Sequence, residues 1–320
     1  MMRGMGFLRD WLPGPRLLAM SVAAILVASI VLGALALVWN AHVALAGYIG
    51  MMFLSAAVSR LGFPEQLLAA AWAVLVCAAG VLLAPLGPWA ILAGVIVVSL
   101  GQAYFVSGGA AGIAWSPASL VAFGAFSQAG PIWQPMLGTA IGAGAMIAVG
   151  VFMTRRPIAV DPAPLVRRLR YGLALAAGTA ILTGIWQITQ MRYASFALLT
   201  YCLLLTFDPS SVVRKTRLRM LGAVSGAVTA VILATVLPIP AIWVLMLASA
   251  VLTVAYLLET DDLRYMTTLV ISLIFIGVLS SERTAVAEGA HRLFAVLAAA
   301  GVALAVHGIT VLWGRIRVAR

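Results

Sequence analysis

The sequence predicts an all-α integral membrane protein of about twelve transmembrane helices, arranged as two parallel six-helix repeats. Three observations carry that reading. Apolar residues make up 64% of the 320 positions and charged residues 9%, with a mean hydropathy of +1.12, far too little polar surface for a soluble domain of this size. Apolar stretches recur at the ~20-residue length that crosses hydrocarbon, and together they occupy roughly three quarters of the chain. The basic residues, finally, gather at stretch ends and in a few short loops, as membrane insertion requires.

Taken in order, spans are expected at 17–39, 41–58, 67–84, 89–107, 115–129, 132–153, 171–188, 193–207, 219–237, 241–258, 265–280 and 292–314. The first follows Arg3, Arg9 and Arg16 like a signal peptide. Its apolar run is about twice a signal h-region in length, so it reads as an uncleaved span. Turns are marked by Gly62-Phe63-Pro64, Pro85-Leu86-Gly87-Pro88, Asp208-Pro209, Pro238-Ile239-Pro240 and Glu259-Thr260-Asp261-Asp262, where proline, glycine or acidic groups interrupt an apolar helix. The fifth span carries Ser116-Pro117 in a small-residue stretch and has two readings, a full helix or a broken, re-entrant one. Cys77 and Cys202 each lie within an apolar run without a CxxC partner, which favours packing over metal or redox chemistry.

Twelve spans with a cytoplasmic N-terminus place all but Arg192, Arg283 and Arg292 of the twenty basic residues on the inner side. This satisfies the positive-inside rule and puts both termini in the cytoplasm. The net charge of +11 is thereby accounted for by the lipid bilayer as partner rather than by nucleic acid. A basic, proline-containing linker at 154–170 divides the chain into membrane repeats at 1–153 and 171–320. Trp39–Ala57 aligns with Gln190–Asp208 at an offset of about 151 residues. At nearly the same register Pro88-Trp89-Ala90-Ile91 falls opposite Pro240-Ala241-Ile242-Trp243, and Tyr104 opposite Tyr256. An even number of spans per repeat makes the repeats parallel.

The second repeat contains an aromatic-bearing stretch, Tyr193-Ala194-Ser195-Phe196-Ala197-Leu198-Leu199-Thr200, then Arg219-Met220-Leu221-Gly222 through Gly226, then Arg292-Leu293-Phe294. On these motifs, over about 170–312, the chain resembles the fusaric acid resistance-like membrane domain, the family that includes aromatic acid exporters. Gly138-Thr139-Ala140-Ile141-Gly142 gives the first half a looser likeness. The large cytoplasmic domain that many members carry between their membrane halves has no counterpart in the 154–170 linker. The resemblance implies export of small organic anions, typically aromatic carboxylates, across the bacterial inner membrane. Anion channels on a related helical domain keep a passive channel open as the alternative, and an envelope assembly subunit that transports nothing is a third reading.

Embedded polar groups supply the candidates for substrate binding or gating. Arg292 and His307 are fifteen residues apart, about 60° around one helix and roughly 22 Å along it. They suit an anion path with a proton-sensitive step, against readings as an interfacial anchor and an interhelical hydrogen bond. In the eighth span Tyr193 and Thr200 share a face, and Arg192 stands at the outer end. Asp208 closes the inner end near Arg214, Arg217 and Arg219, as a gate or as an interfacial salt bridge. Asn40 and His42 stand at the outer vestibule or the interface, and Gln102 shares a face with Ser99, lining the path or bonding across helices. Glu259, Asp261 and Asp262 form a single acidic cluster where a magnesium-dependent prenyl transferase needs two, so they read as solvated loop charge. No metal, cofactor or enzyme activity is expected, and no ATP-binding motif is present. The glycine pairs Gly138/Gly142 and Gly222/Gly226 serve close helix packing, within one copy or in a homo-oligomer.

Overall fold

The computed structural model describes residues 12–58, 60–107, 110–111, 113, 115–153, 163–189, 193–205, 211–259, 261–280 and 284–318. Its elements are almost entirely helical: α1 Pro15–Val38, α2 Ala41–Leu54, α3 Phe63–Leu83, α4 Pro88–Gln102, α5 Ser116–Gly124, α6 Trp133–Met153, α7 Leu165–Thr189, α8 Ala194–Leu204, α9 Val212–Val236, α10 Ile239–Glu259, α11 Asp262–Ser280 and α12 Ala285–Val318. A two-residue antiparallel pairing, β1 Val106–Ser107 with β2 Ala110–Ala111, lies between α4 and α5. Nine helices among the described residues are long and apolar enough to cross a membrane. The protein is a multi-pass membrane protein.

Three of the twelve expected spans are helices shorter than the bilayer core. Helices α2, α5 and α8 have only 14, 9 and 11 residues, lengths of about 21, 14 and 17 Å against a core of about 30 Å. Helix α2 stops at Leu54 because the chain tightens: Ser55 Oγ donates to the Met52 carbonyl at 2.7 Å. Gln66 Nε2 then takes up the Leu61 carbonyl at 2.9 Å beyond the turn. Helix α5 opens on Ser116-Pro117, the proline sitting where its missing N–H is harmless, so the broken form of the fifth span is the one adopted. Helix α8 gives way to extended backbone at Leu205. The last span is longer than expected, starting at Ala285 rather than 292.

The helices fall into two compact units. One takes Arg214–Phe294 with the chain up to Val27, and the other takes Ala28–Val213 with the chain from Ala295.

In the first unit α11 is the shared partner of its neighbours. Gly222 and Gly226 of α9 face the Leu263–Thr267 and Thr267–Val270 turns of α11 so closely that a Cβ on either would lie 2.6 or 2.5 Å from a backbone carbonyl. The rising register on both helices shows that α9 and α11 run parallel. Helix α10 joins α11 through a 2.8 Å bond between the Ser249 and Ser272 hydroxyls. Gly277 makes room for the Glu288 carboxylate of α12.

In the second unit α2 and α6 run parallel in near-backbone contact, Gly138 against the Val43 carbonyl and Gly142 against the Gly47 carbonyl. Helices α4 and α7 are antiparallel, with Gln187 Nε2 reaching the Pro88 carbonyl at 2.7 Å at one end. The core between α2, α3, α5 and α6 is built on Phe53, Leu54, Val76, Cys77, Leu120 and Phe123. Both glycine pairs are thus covered by helices of their own chain.

A methyl group at Gly142 has no space beside the Gly47 backbone. Gly142→Ala is expected to lower stability by about 1–3 kcal/mol, read as an earlier midpoint in denaturant unfolding of the detergent-solubilised protein. An unshifted midpoint would mean that α2 and α6 part freely.

Candidate functional site

Two buried polar clusters stand out, one in each unit. In the first unit, Arg219 projects from the second turn of α9, on the face that Gly222 and Gly226 press against α11. Only 7% of Arg219 is exposed. Its Nε and Nη2 both donate to Asp262 Oδ1, at 2.9 and 2.7 Å, and its guanidinium lies 5.6 Å from the centre of the Tyr265 ring. Asp262 is the first residue of α11, where the helix dipole favours a carboxylate. The parallel packing of α9 and α11 therefore delivers cation to anion at one end of the pair. One turn before Arg219, Thr216 is buried as well. Arg214 and Arg217 on the same helix are exposed.

Asp261 takes a different role. Its Oδ1 accepts from the Leu263 and Arg264 amides at 3.1 and 3.0 Å, capping α11, while Oδ2 pairs with Arg264 at 3.4 Å. Arg264 also covers the Tyr256 ring. The expectation of solvated loop charge is corrected here: Asp262 is an ion-pair partner inside the helix packing and Asp261 is a cap. Among the described residues no three His, Cys, Asp or Glu side chains come together as metal ligands.

In the second unit the cluster is built around Gln102, the last residue of α4 and fully buried. Its Nε2 donates to the Tyr171 hydroxyl of α7 at 3.1 Å, and its Oε1 accepts from the Ser116 amide at 3.0 Å. Helix α5 has no side-chain cap of its own, so Gln102 supplies one from another helix. Trp72 of α3 donates to Ser116 Oγ at 3.1 Å, and Ser99 meets Thr179 at 2.9 Å one turn back along α4. Four helices thus meet at the start of α5.

The other candidates are placed as follows. Asn40 caps α2, accepting from the Val43 amide at 2.9 Å, and donates to Gln134 at 3.1 Å. His42 is exposed and edge-on to Phe126 at 6.0 Å. Thr200 is buried in α8 with its hydroxyl given to the Phe196 carbonyl at 2.8 Å. Tyr193 is half-buried just before that helix. Arg292 and His307 are both half-buried on α12, Arg292 in the first unit and His307 in the second. Arg192 and Asp208 lie outside the described residues.

Not anticipated from the sequence were Thr216, Tyr265, Trp72, Tyr171, Thr179 and the 1%-exposed Glu288. Glu288 falls inside a membrane helix only because α12 begins seven residues earlier than the apolar run suggests.

Residues 167–306 match the family described as fusaric acid resistance protein-like. The match falls on the same part of the chain as the motifs that carry the resemblance. The matched stretch holds Arg219, Asp262 and Glu288, and it ends one residue before His307. No curated protein and no solved structure matches the chain.

Removing one member of the buried ion pair strands the other. Arg219→Met and Asp262→Met are each expected to destabilise the protein by about 3–5 kcal/mol. The double variant should lose clearly less than the sum, since it leaves no unpaired charge. Thermal unfolding of the four proteins in detergent gives the coupling, and simple additivity would show that the pair is not formed.

Proposed function

We propose that the protein is a bacterial inner-membrane secondary transporter that exports small aromatic or amphipathic organic anions, driven by the proton gradient. The observation that carries this reading is a buried, ion-paired arginine inside the helix packing of a fusaric acid resistance protein-like domain. Hydrocarbon excludes such a cation unless it is needed, and an arginine fork matches a carboxylate. The proton enters the proposal through His307, a titratable side chain half-buried in a membrane helix.

The two-repeat arrangement belongs to the same proposal, and the helix starts support it. Pro15, Ala41, Phe63, Pro88, Ser116 and Trp133 are followed in the same order by Leu165, Ala194, Val212, Ile239, Asp262 and Ala285. Each partner lies about 150 residues further on, and short α2 recurs as short α8. On this reading the twelve helices are two sets of six in chain order. The arginine distribution then sets both termini in the cytoplasm, with the Arg219 end of α9 on that side.

Uptake of radiolabelled benzoate into inverted vesicles, with the vesicle interior made acidic, tests the proposal. A coupled exporter gives uptake that grows with the gradient, and His307→Ala is expected to reduce that dependence several-fold. Flux that follows voltage and ignores the pH gradient would assign a passive channel instead. Absence of flux for every organic anion tried would reject transport.

A further inference from the structure

We propose that Arg219 Nη1 and Thr216 Oγ1 form the site that receives the carboxylate head of the transported anion, a role that rests on the exporter reading above. Asp262 occupies only one edge of the guanidinium, because Nε and Nη2 converge on a single oxygen, Oδ1. The remaining nitrogen, Nη1, is buried and has no hydrogen-bond partner among the described residues. Thr216 Oγ1 is in the same condition, on a residue that is 1% exposed.

These two atoms belong together. Thr216 and Arg219 are three residues apart and so share a face of α9. Helical side chains lean toward the N-terminus, which carries the long arginine stem back over the turn that holds Thr216. Asp262 and the Tyr265 ring hold the guanidinium in place.

Several other hydroxyls of the first unit are satisfied locally: Ser225, Ser249, Thr253, Thr267 and Thr268 each donate to a carbonyl of the preceding turn. Buried Thr216 makes no such bond, although it has helical carbonyls of the same kind within reach. A buried guanidinium nitrogen and a buried hydroxyl left unused cost more than an apolar pair would. What satisfies both is an acceptor with two oxygens, one for Nη1 and one for Oγ1, which is the geometry of a carboxylate. The ion pair with Asp262 leaves the protein's own charge there balanced, so the ligand is held by directed hydrogen bonds rather than by a field, and exposed Arg214 and Arg217 beside it attract anions toward that end of α9.

The test is binding of radiolabelled benzoate to the purified full-length protein in detergent, with benzamide as the uncharged competitor. The wild type is expected to bind benzoate and to ignore benzamide. Thr216→Val, which keeps the shape and removes the hydroxyl, should weaken binding about tenfold. Thr216→Ser should restore it to within about twofold, and Arg219→Lys, which keeps the charge for Asp262 but loses the second edge, should abolish it. An unchanged melting temperature in Thr216→Val separates the site from the fold. Equal benzoate affinity in wild type and Thr216→Val, or no wild-type binding, overturns the assignment. The vesicle experiment keeps the two proposals distinct: transport without dependence on Thr216 removes the site alone, whereas Thr216-dependent binding without transport removes the exporter alone.

Discussion

A backbone amide or carbonyl brought into hydrocarbon without a partner is penalised by several kcal/mol, and the shape of each unit follows from how that demand is met. Helices meet it internally, which is why almost every described segment is helical. Where the helix is interrupted, a side chain from elsewhere must take over. The segment between α4 and α5 shows how: Gln102 caps the start of α5 through the Ser116 amide, and Trp72 takes the Ser116 hydroxyl. The same rule applies after α2, where Gln66 serves the Leu61 carbonyl. Short helices are tolerated at these places because their ends are served by neighbours in the protein rather than by water.

Packing without a hydrophobic drive relies on close approach, and glycine makes it available. Parallel contact of α9 with α11 depends on Gly222 and Gly226, and that contact fixes the register that sets Arg219 against Asp262. The ion pair is thus a consequence of the glycine face one turn further along. Helix α11 is also held from its other sides, by the Ser249–Ser272 bond and by the Gly277–Glu288 contact. Its buried hydroxyls, Thr267, Thr268 and Ser272, are each satisfied within the packing. The buried hydroxyls of α11 are therefore absorbed by structure, whereas Thr216 Oγ1 and Arg219 Nη1 have no hydrogen-bond partner among the described residues.

Much of this was legible in the sequence. Proline and glycine punctuation located the helix ends to within a few residues, since those residues act locally on the backbone. The polar ones did not declare their partners, because partnership is set by packing. Arg219 was recognised as a candidate beside Asp208, its near neighbour in the chain, yet its ligand Asp262 comes from another helix, 43 residues on. Gln102 and Ser99 were rightly placed on one face, but nothing local reveals Tyr171 and Thr179 across from them. Apolar content alone also misjudged α2 and α8: hydropathy reports what a segment can contact and not how long it stays helical. Glu288 was missed for a different reason: the last span was expected to begin at 292, and the helix starts at Ala285.

The candidates also separate into those that hold the fold and those free to do chemistry. Asn40 spends both ends of its amide, one on the α2 amide and one on Gln134, and Gln102 likewise uses both. Thr200 gives its hydroxyl to its own helix. A ligand at any of these would have to displace a bond that the protein already makes, with little net gain. Arg219 differs because its ion pair employs one edge of a planar group that has two. The carboxylate of Asp262 leaves the second edge unused and so would not compete with the proposed acceptor there. On the proposed exporter reading, such a helix keeps an arginine buried without substrate and still holds a donor in reserve for an anion's head group.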